Sequence, residues 1–291
     1  MDTRATVELG VLGALRARAT GVEVDIGPPQ RRTVLAVLIC GASQVIPTGR
    51  LLDCVWDDAA SPSAIGSLHT HVSRLRKELG PDVIVRHPYG YALQLRPDQL
   101  DADVFSSWVR RGRSSVAKGQ LRCGRDLLVA ALSLWRGRAY DEFQHAWWAR
   151  DEIVRLHTER LDALEARLDA DVELGDTDVL GELVEALVVE HPLHDGFCGR
   201  LMIALYRSGC QSDALSSARR HRRNVVEATG LAQAPWLTAI ELRILRHDRC
   251  LMIPQRLQDD KKSTSEKQAT DKPRTSDEGQ DHRDHVREEH M

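Results

Sequence analysis

The sequence predicts a mainly α-helical protein with a small α+β domain at its N-terminus, and three observations lead there. Short alternating apolar stretches are confined to roughly the first hundred residues. Helical periodicity then dominates to about His247. From about Pro254 the periodicity stops and a charged, Ser/Thr-rich stretch begins. A chain of 291 residues holds about two domains. The division expected is 1–97, 98–250 and a tail over 251–291 that buries too little apolar surface to fold.

The elements follow in order. ELGVLGALRARATGVEVDIG (8–27) has two β-like stretches separated by Thr20-Gly21 and reads as a hairpin. Pro28-Pro29 introduces QRRTVLAVLIC, a nearly all-apolar helix that should be buried. VIP (45–47) is a short extended piece. Thr48 is suited to N-cap the next helix, whose buried face carries Leu51, Leu52, Val55 and Trp56.

Residues 68–95, LHTHVSRLRKELGPDVIVRHPYGYALQL, carry the strongest signal. Ile65, Leu68, Val72, Leu75 and Leu79 recur in steps of 3, 4, 3 and 4, one face of a helix. Its start is expected at Ser61-Pro62 and its end at Gly80-Pro81. The other faces hold Ser67, His69, Thr70, Ser73, Arg74, Arg76 and Lys77. Hydroxyls, an imidazole and cations are the groups that bond phosphates and base edges. His87-Pro88-Tyr89-Gly90 has Pro and Gly where a type I turn wants them. Tyr91, Leu93 and Leu95 alternate on the return strand. A recognition helix followed by a hairpin is the arrangement with which a winged helix holds DNA.

Beyond PDQLDAD (97–103), expected as a linker and helix start, helices are expected over 103–118, 120–135, 146–174, 178–190, 195–208, 211–228 and 235–247. Gly175 and Gly209 stand 34 positions apart, the tetratricopeptide period. Ala204, Tyr206, Gly209, Ala214 and Leu215 fit that repeat, and VAKGQLRCGRDLLVAAL looks like a degenerate earlier copy. Stacked helix pairs present a groove to a partner. The fold class is thus a winged helix-turn-helix followed by an all-α tetratricopeptide-like domain.

Composition narrows the function. Net charge is only -3, but residues 1–96 carry 11 Lys/Arg against 9 Asp/Glu, and Arg74 to Lys77 place three cations in four positions. A solvated face is the plain reading of such a run. Hydroxyls on the same helix and the hairpin after it favour nucleic acid. Six cysteines show no CxxC pair, which fits reduced thiols, and no apolar run nears the ~20 residues of a membrane span. No secretory signal opens the chain, so a cytoplasmic, nucleoid-associated location is expected. HExxH, GxSxG, a Rossmann fingerprint and GxxxxGK[ST] are all missing, so an enzyme and a cofactor are not expected. His282, His285 and His290 fall in the tail, where solvated histidines outweigh a metal site.

LGVLGAL, GPPQRRTVLAVLI, RLLDCVW, SLHTHVSRLRKELGPDVIVRHPYGYAL, VRRGR, ALSLWRG, RLDALEARLDADVELG, EHPLHDGFCGRLMIALYRSGCQSDAL and LRILRHD resemble successive blocks of the Streptomyces antibiotic regulatory protein family. The resemblance covers residues 7 to about 250. It implies a response-regulator-type winged helix joined to a bacterial transcriptional activation domain. It also implies a transcriptional activator that binds direct repeats upstream of biosynthetic promoters as a side-by-side dimer and helps recruit RNA polymerase holoenzyme. The chain looks like the small members, without an appended NTPase module. Gly66 stands where the family usually has Asn or Thr, and His69 where Gln is common, so the resemblance leaves the operator open.

Given the resemblance, Arg74 and Arg76 are assigned to DNA over an exposed face or an internal ion pair. On guanine they would specify; on phosphate they would position. Ser67, His69, Thr70 and Ser73 share the outward surface, while His71 is suited to pack beside the helix. Lys77 and Arg86 are assigned to backbone phosphate, Tyr89 to the hairpin tip, and Tyr91 to the core. Arg31 and Arg32 flank a helix N-terminus, a common phosphate site, and Arg32 is taken as a candidate. Trp56, Trp108, Trp135, Trp147 and Trp148 are expected to pack cores and domain interfaces. The competing functions are an interaction adaptor that has lost DNA binding, and a repressor of the same fold.

Overall fold

A computed structural model of the chain describes residues 7–41, 44–56, 63–175 and 177–252. The expected Ser61 cap, the tail beyond 252 and its histidines lie outside them. Among the described residues the protein is mainly α, with strands confined to the first third.

β1 (Val7–Gly10), β2 (Arg16–Ala19) and β3 (Val22–Glu23) form an antiparallel sheet in that order, with Val7 opposite Ala19 and Arg18 opposite Glu23. The sequence predicts one hairpin here; three strands form. β2 and β3 are joined at Thr20-Gly21, both with positive φ (53° and 81°), the twist a two-residue hairpin turn requires. β1 is set apart because residues 11–13 spend their carbonyls elsewhere. Val11 O accepts from Tyr140 N (2.7 Å), Leu12 O from Arg136 N (2.8 Å) and Gly13 O from Asp141 N (3.2 Å).

α1 (Pro29–Cys40) carries a wholly buried run from Val34 to Ile39, as its apolar sequence dictates. β4 (Ile46–Pro47) leads into α2 (Thr48–Trp56), in which Thr48 is the first helical residue. α3 (Ala64–Leu79) then stops at Gly80, whose φ of 110° suits glycine. β5 (Ile84–His87) and β6 (Gly90–Leu93) make the hairpin, and β4 adds to β6, giving a second sheet ordered β4-β6-β5. Gly90 is required at that junction: any side chain there would collide with the Ile46 carbonyl oxygen.

The helices beyond are α4 (Asp101–Ala117), α5 (Leu121–Leu132), α6 (Arg150–Leu174), α7 (Thr177–Glu190), α8 (Asp195–Arg207), α9 (Gln211–Thr229) and α10 (Pro235–Leu245). The periodicity starts α6 four residues earlier, at 146; a 3-10 turn, Trp147–Ala149, occupies that place. Gly175 and Gly209, the residues that set the 34-residue period, end two helices' last turns with φ of 82° and 80°.

Residues 97–103 are not a free linker. Leu9 N donates to Gln99 O at 2.7 Å, and Leu9 bridges Leu100. The Asp101 carboxylate accepts from Val11 N (2.8 Å) and Leu12 N (3.2 Å) and pairs with Arg136. One apolar core runs without a break from Val7 through α1, α3, α4 and α5 to Ala163. A second begins at Leu164 on the same helix, and a third joins α8, α9 and α10.

Candidate nucleic-acid interface

α3 buries Ala64, Leu68, Val72, Leu75 and Leu79. Ile65, expected on that face, is 48% exposed. Ala64 replaces it, because a step of four back from Leu68 keeps the stripe over the core where a step of three turns outward. The opposite surface exposes His69, Thr70, Ser73, Arg74 and Lys77, along with Glu78, while Ser67 is half-buried. Gly66 is exposed, and a Cβ added there would meet nothing within 4 Å, so no close contact demands glycine.

The hydroxyls are partly committed. Thr70 Oγ1 donates to Gly66 O (2.9 Å) and Ser67 Oγ to Ser63 O (3.2 Å), each one helical turn back. Their lone pairs remain, so both can accept a hydrogen bond from a base amino group. Arg74 and Lys77 have no hydrogen-bond or ion-pair partner among the described residues. A cation exposed without a carboxylate is what an incoming phosphate or guanine finds most available.

Arg76 is placed differently. Its Nε donates to Ile84 O at 2.7 Å, and its guanidinium lies 6.0 Å over the Tyr91 ring. His69 meets the same ring edge-on at 6.4 Å. Arg76 therefore braces α3 against the first wing strand, and Tyr91, 3% exposed, is core as expected. Arg86 is exposed on β5 opposite Tyr91, and Tyr89 at the tip is 82% exposed. The tip is clamped to α2: Thr48 N donates to Tyr89 O at 2.9 Å.

Arg32, expected as a phosphate site at the α1 N-terminus, stands apart from this group and is already engaged within the fold. Its guanidinium forms a bidentate pair with Glu142 and donates to Leu15 O. That hydrogen bond holds the Arg32 pKa up and the Glu142 carboxyl below its usual range. His71 packs beside the helix, stacked on Trp56 at 6.1 Å. Burial, with Arg31 nearby, lowers its pKa, so the ring is a poor cation at neutral pH.

Two residues escape the sequence reading. Arg50, in the first turn of α2, is exposed two positions from the residue that clamps the wing tip. Trp147, expected in a core or interface, is 57% exposed with Arg50 lying 5.6 Å over its ring. The signal for Arg50 is present, since Thr48 already marks a helix start. Nothing local pairs it with a residue 97 positions later. Among the described residues no group of three or more His, Cys, Asp or Glu could hold a metal ion.

Residues 100–245 match the family described as bacterial transcriptional activator domain, and residues 23–93 that described as transcriptional regulatory protein, C terminal. Regulatory protein AfsR of Streptomyces coelicolor is 36% identical over 255 residues, covering 86% of this chain and 25% of that protein. Regulatory protein DnrI of Streptomyces peucetius is 30% identical over 253 residues, covering 83% of this chain and 93% of that protein. The chain thus spans about a quarter of AfsR but nearly all of DnrI. A solved structure, Mycobacterium tuberculosis EmbR in complex with a low-affinity phosphopeptide, superposes with a TM-score of 0.79 at 28% identity. It covers 84% of this chain and 66% of that one.

Proposed function

The chain belongs to the Streptomyces antibiotic regulatory protein family, and from that premise we propose that it is a sequence-specific DNA-binding transcriptional activator of a secondary-metabolite gene cluster. The observation that carries the reading is the outer surface of α3, where His69, Thr70, Ser73, Arg74 and Lys77 stand exposed beside a wing with Arg86 and Tyr89 exposed. A helix so equipped fits the major groove, and a hairpin beside it reaches the flanking backbone or minor groove.

The roles follow from what each side chain is free to do. Arg74, with Ser73, Thr70 and His69, reads bases. Lys77 and Arg86 neutralise phosphates, Ser67 lies half-buried at the edge of the contact, and Tyr89 touches the sugar-phosphate wall. Arg76 sets the angle between helix and wing. Arg32 acts through the fold, since Glu142 holds it. We assign residues 1–97 to DNA binding and 98–250 to activation, with the helical array meeting RNA polymerase or a second protomer on adjacent direct repeats. Members of this family are regulators rather than enzymes. No described helix is long and apolar enough to cross a membrane, and a place at the nucleoid is part of the proposal.

The test is a footprint of the purified protein on promoter regions nearest its own gene, across a salt series. Evenly spaced protected repeats with sequence preference support the activator. Binding without preference points to backbone contacts alone. No binding at any salt overturns the reading and leaves the helical array as an interaction adaptor.

A further inference from the structure

We propose that Trp147, contributed from beyond the DNA-binding segment, is a positioning residue for DNA binding: its indole holds Arg50 at the edge of the wing, where the guanidinium meets a backbone phosphate. The inference rests on the DNA-binding reading above and adds to the interface a residue outside the winged helix.

The local geometry carries it. Trp147 and Trp148 are adjacent, but the core uses only Trp148, which packs on Phe143 with ring centroids 5.2 Å apart. Ala149 beyond them is fully buried, so the 3-10 turn is anchored on one side and Trp147 is left outward, 57% exposed. Among the described residues, the group that meets the indole face is the Arg50 guanidinium, 5.6 Å from its centroid. That distance is within the ~6 Å at which an indole face attracts a cation.

Arg50 in turn is exposed and has no carboxylate partner among the described residues. It sits in the first turn of α2, whose opening residue clamps the wing tip through Thr48 N to Tyr89 O. β4, immediately before, pairs Ile46 with Tyr91 and Pro47 with Gly90. Arg50, the α2 N-terminus and the wing tip are thereby tied to one another by short backbone links. A guanidinium held over an indole by its charge spends no N–H group on that contact, and N–H groups bond phosphate oxygens. The indole removes the rotamer freedom that a long exposed arginine otherwise loses on binding. Trp147 thus makes the contact ready in advance, and the link ties the helical array to DNA affinity.

The test uses the full chain and a fluorescein-labelled duplex of mixed sequence, because a phosphate contact needs no operator. Anisotropy titrations across a salt series are run for wild type, Arg50→Ala, Trp147→Ala, Trp147→Phe and the double alanine variant. Arg50→Ala should flatten the slope of log affinity against log salt by ~0.9, one phosphate contact. Trp147→Ala should weaken binding about two- to threefold with a smaller flattening, and Trp147→Phe should restore most of it. The double variant should bind no worse than Arg50→Ala alone, since one pathway is removed twice. Melting curves should be unchanged for Trp147→Ala, because the side chain is more exposed than buried. Wild-type affinity and slope in Trp147→Ala, or strictly additive losses, overturn the proposal while DNA binding stands. A wild-type protein without salt-dependent binding overturns the DNA reading itself, and this inference with it.

Discussion

Arg74 and Arg76 are two positions apart on one helix, and their surroundings separate their uses. Arg74 has no partner among the described residues, whereas Arg76 donates to Ile84 O at 2.7 Å. Arg74→Ala should therefore lower specific affinity by about 1–3 kcal/mol if it reads guanine, and should relax preference at one base pair. An unchanged footprint would remove it from the interface. Lys77→Ala should weaken all duplexes alike and flatten the salt slope by ~0.9. Gly66→Ala should stabilise the protein by up to about 1 kcal/mol, because its site is open space; a lowered melting temperature would mean that glycine is needed there for another reason. The residue types of the site were legible from spacing alone. Which cations are free was not, because the Arg76 partner is a backbone carbonyl and the Arg32 partner lies 110 residues away.

The elements were legible where one period ruled, and blurred where tertiary bonds interrupted it. α3 from Leu68 to its stop at Gly80, and the hairpin after it, were legible because stripe, stop signal and turn agree; Ile65 was the stripe residue misplaced. β1 merges with β2 in the sequence because residues 11–13 look like strand, yet they bond to the segment around Arg136 to Asp141. That segment also supplies Glu142, which accepts from Leu15 N at 2.9 Å while pairing with Arg32 on α1. The pairing can be followed by pH. Its hydrogen bond with Arg32 depresses the folded-state carboxyl pKa, so its stabilisation is full above the ordinary glutamate range, near ~4.3, and is lost as pH falls through the lower folded value. Glu142→Gln should lower the melting temperature at neutral pH, and the gap to wild type should close as the pH drops below about 4. A gap of constant size down to about pH 3 would show that charge is not what the pair contributes.

At the scale of the whole molecule, the first core disregards the line between winged helix and helical array. Val7, Leu9 and Val11 share a cluster with Phe105, Leu128 and Tyr140. A fragment of residues 1–97 should consequently lose its cooperative melt, exposing the apolar side of β1 and α1; a sharp transition at the full-length temperature would refute this. Sequence patterns could mark where strands give way to helices, but not that the two regions are packed as one, since periodicity within an element says nothing of its neighbours. α6 extends the same theme. At 25 residues it spans about 37 Å, contributing Leu156 and Ala163 to one cluster and Leu164 and Leu168 to the next. For anyone recombining relatives, the workable crossover is not at Pro97 but midway along that helix, near Ala163. A chimera spliced there draws the buried residues of each cluster from a single parent, while Leu132, Leu161 and Ala166 pack across the join.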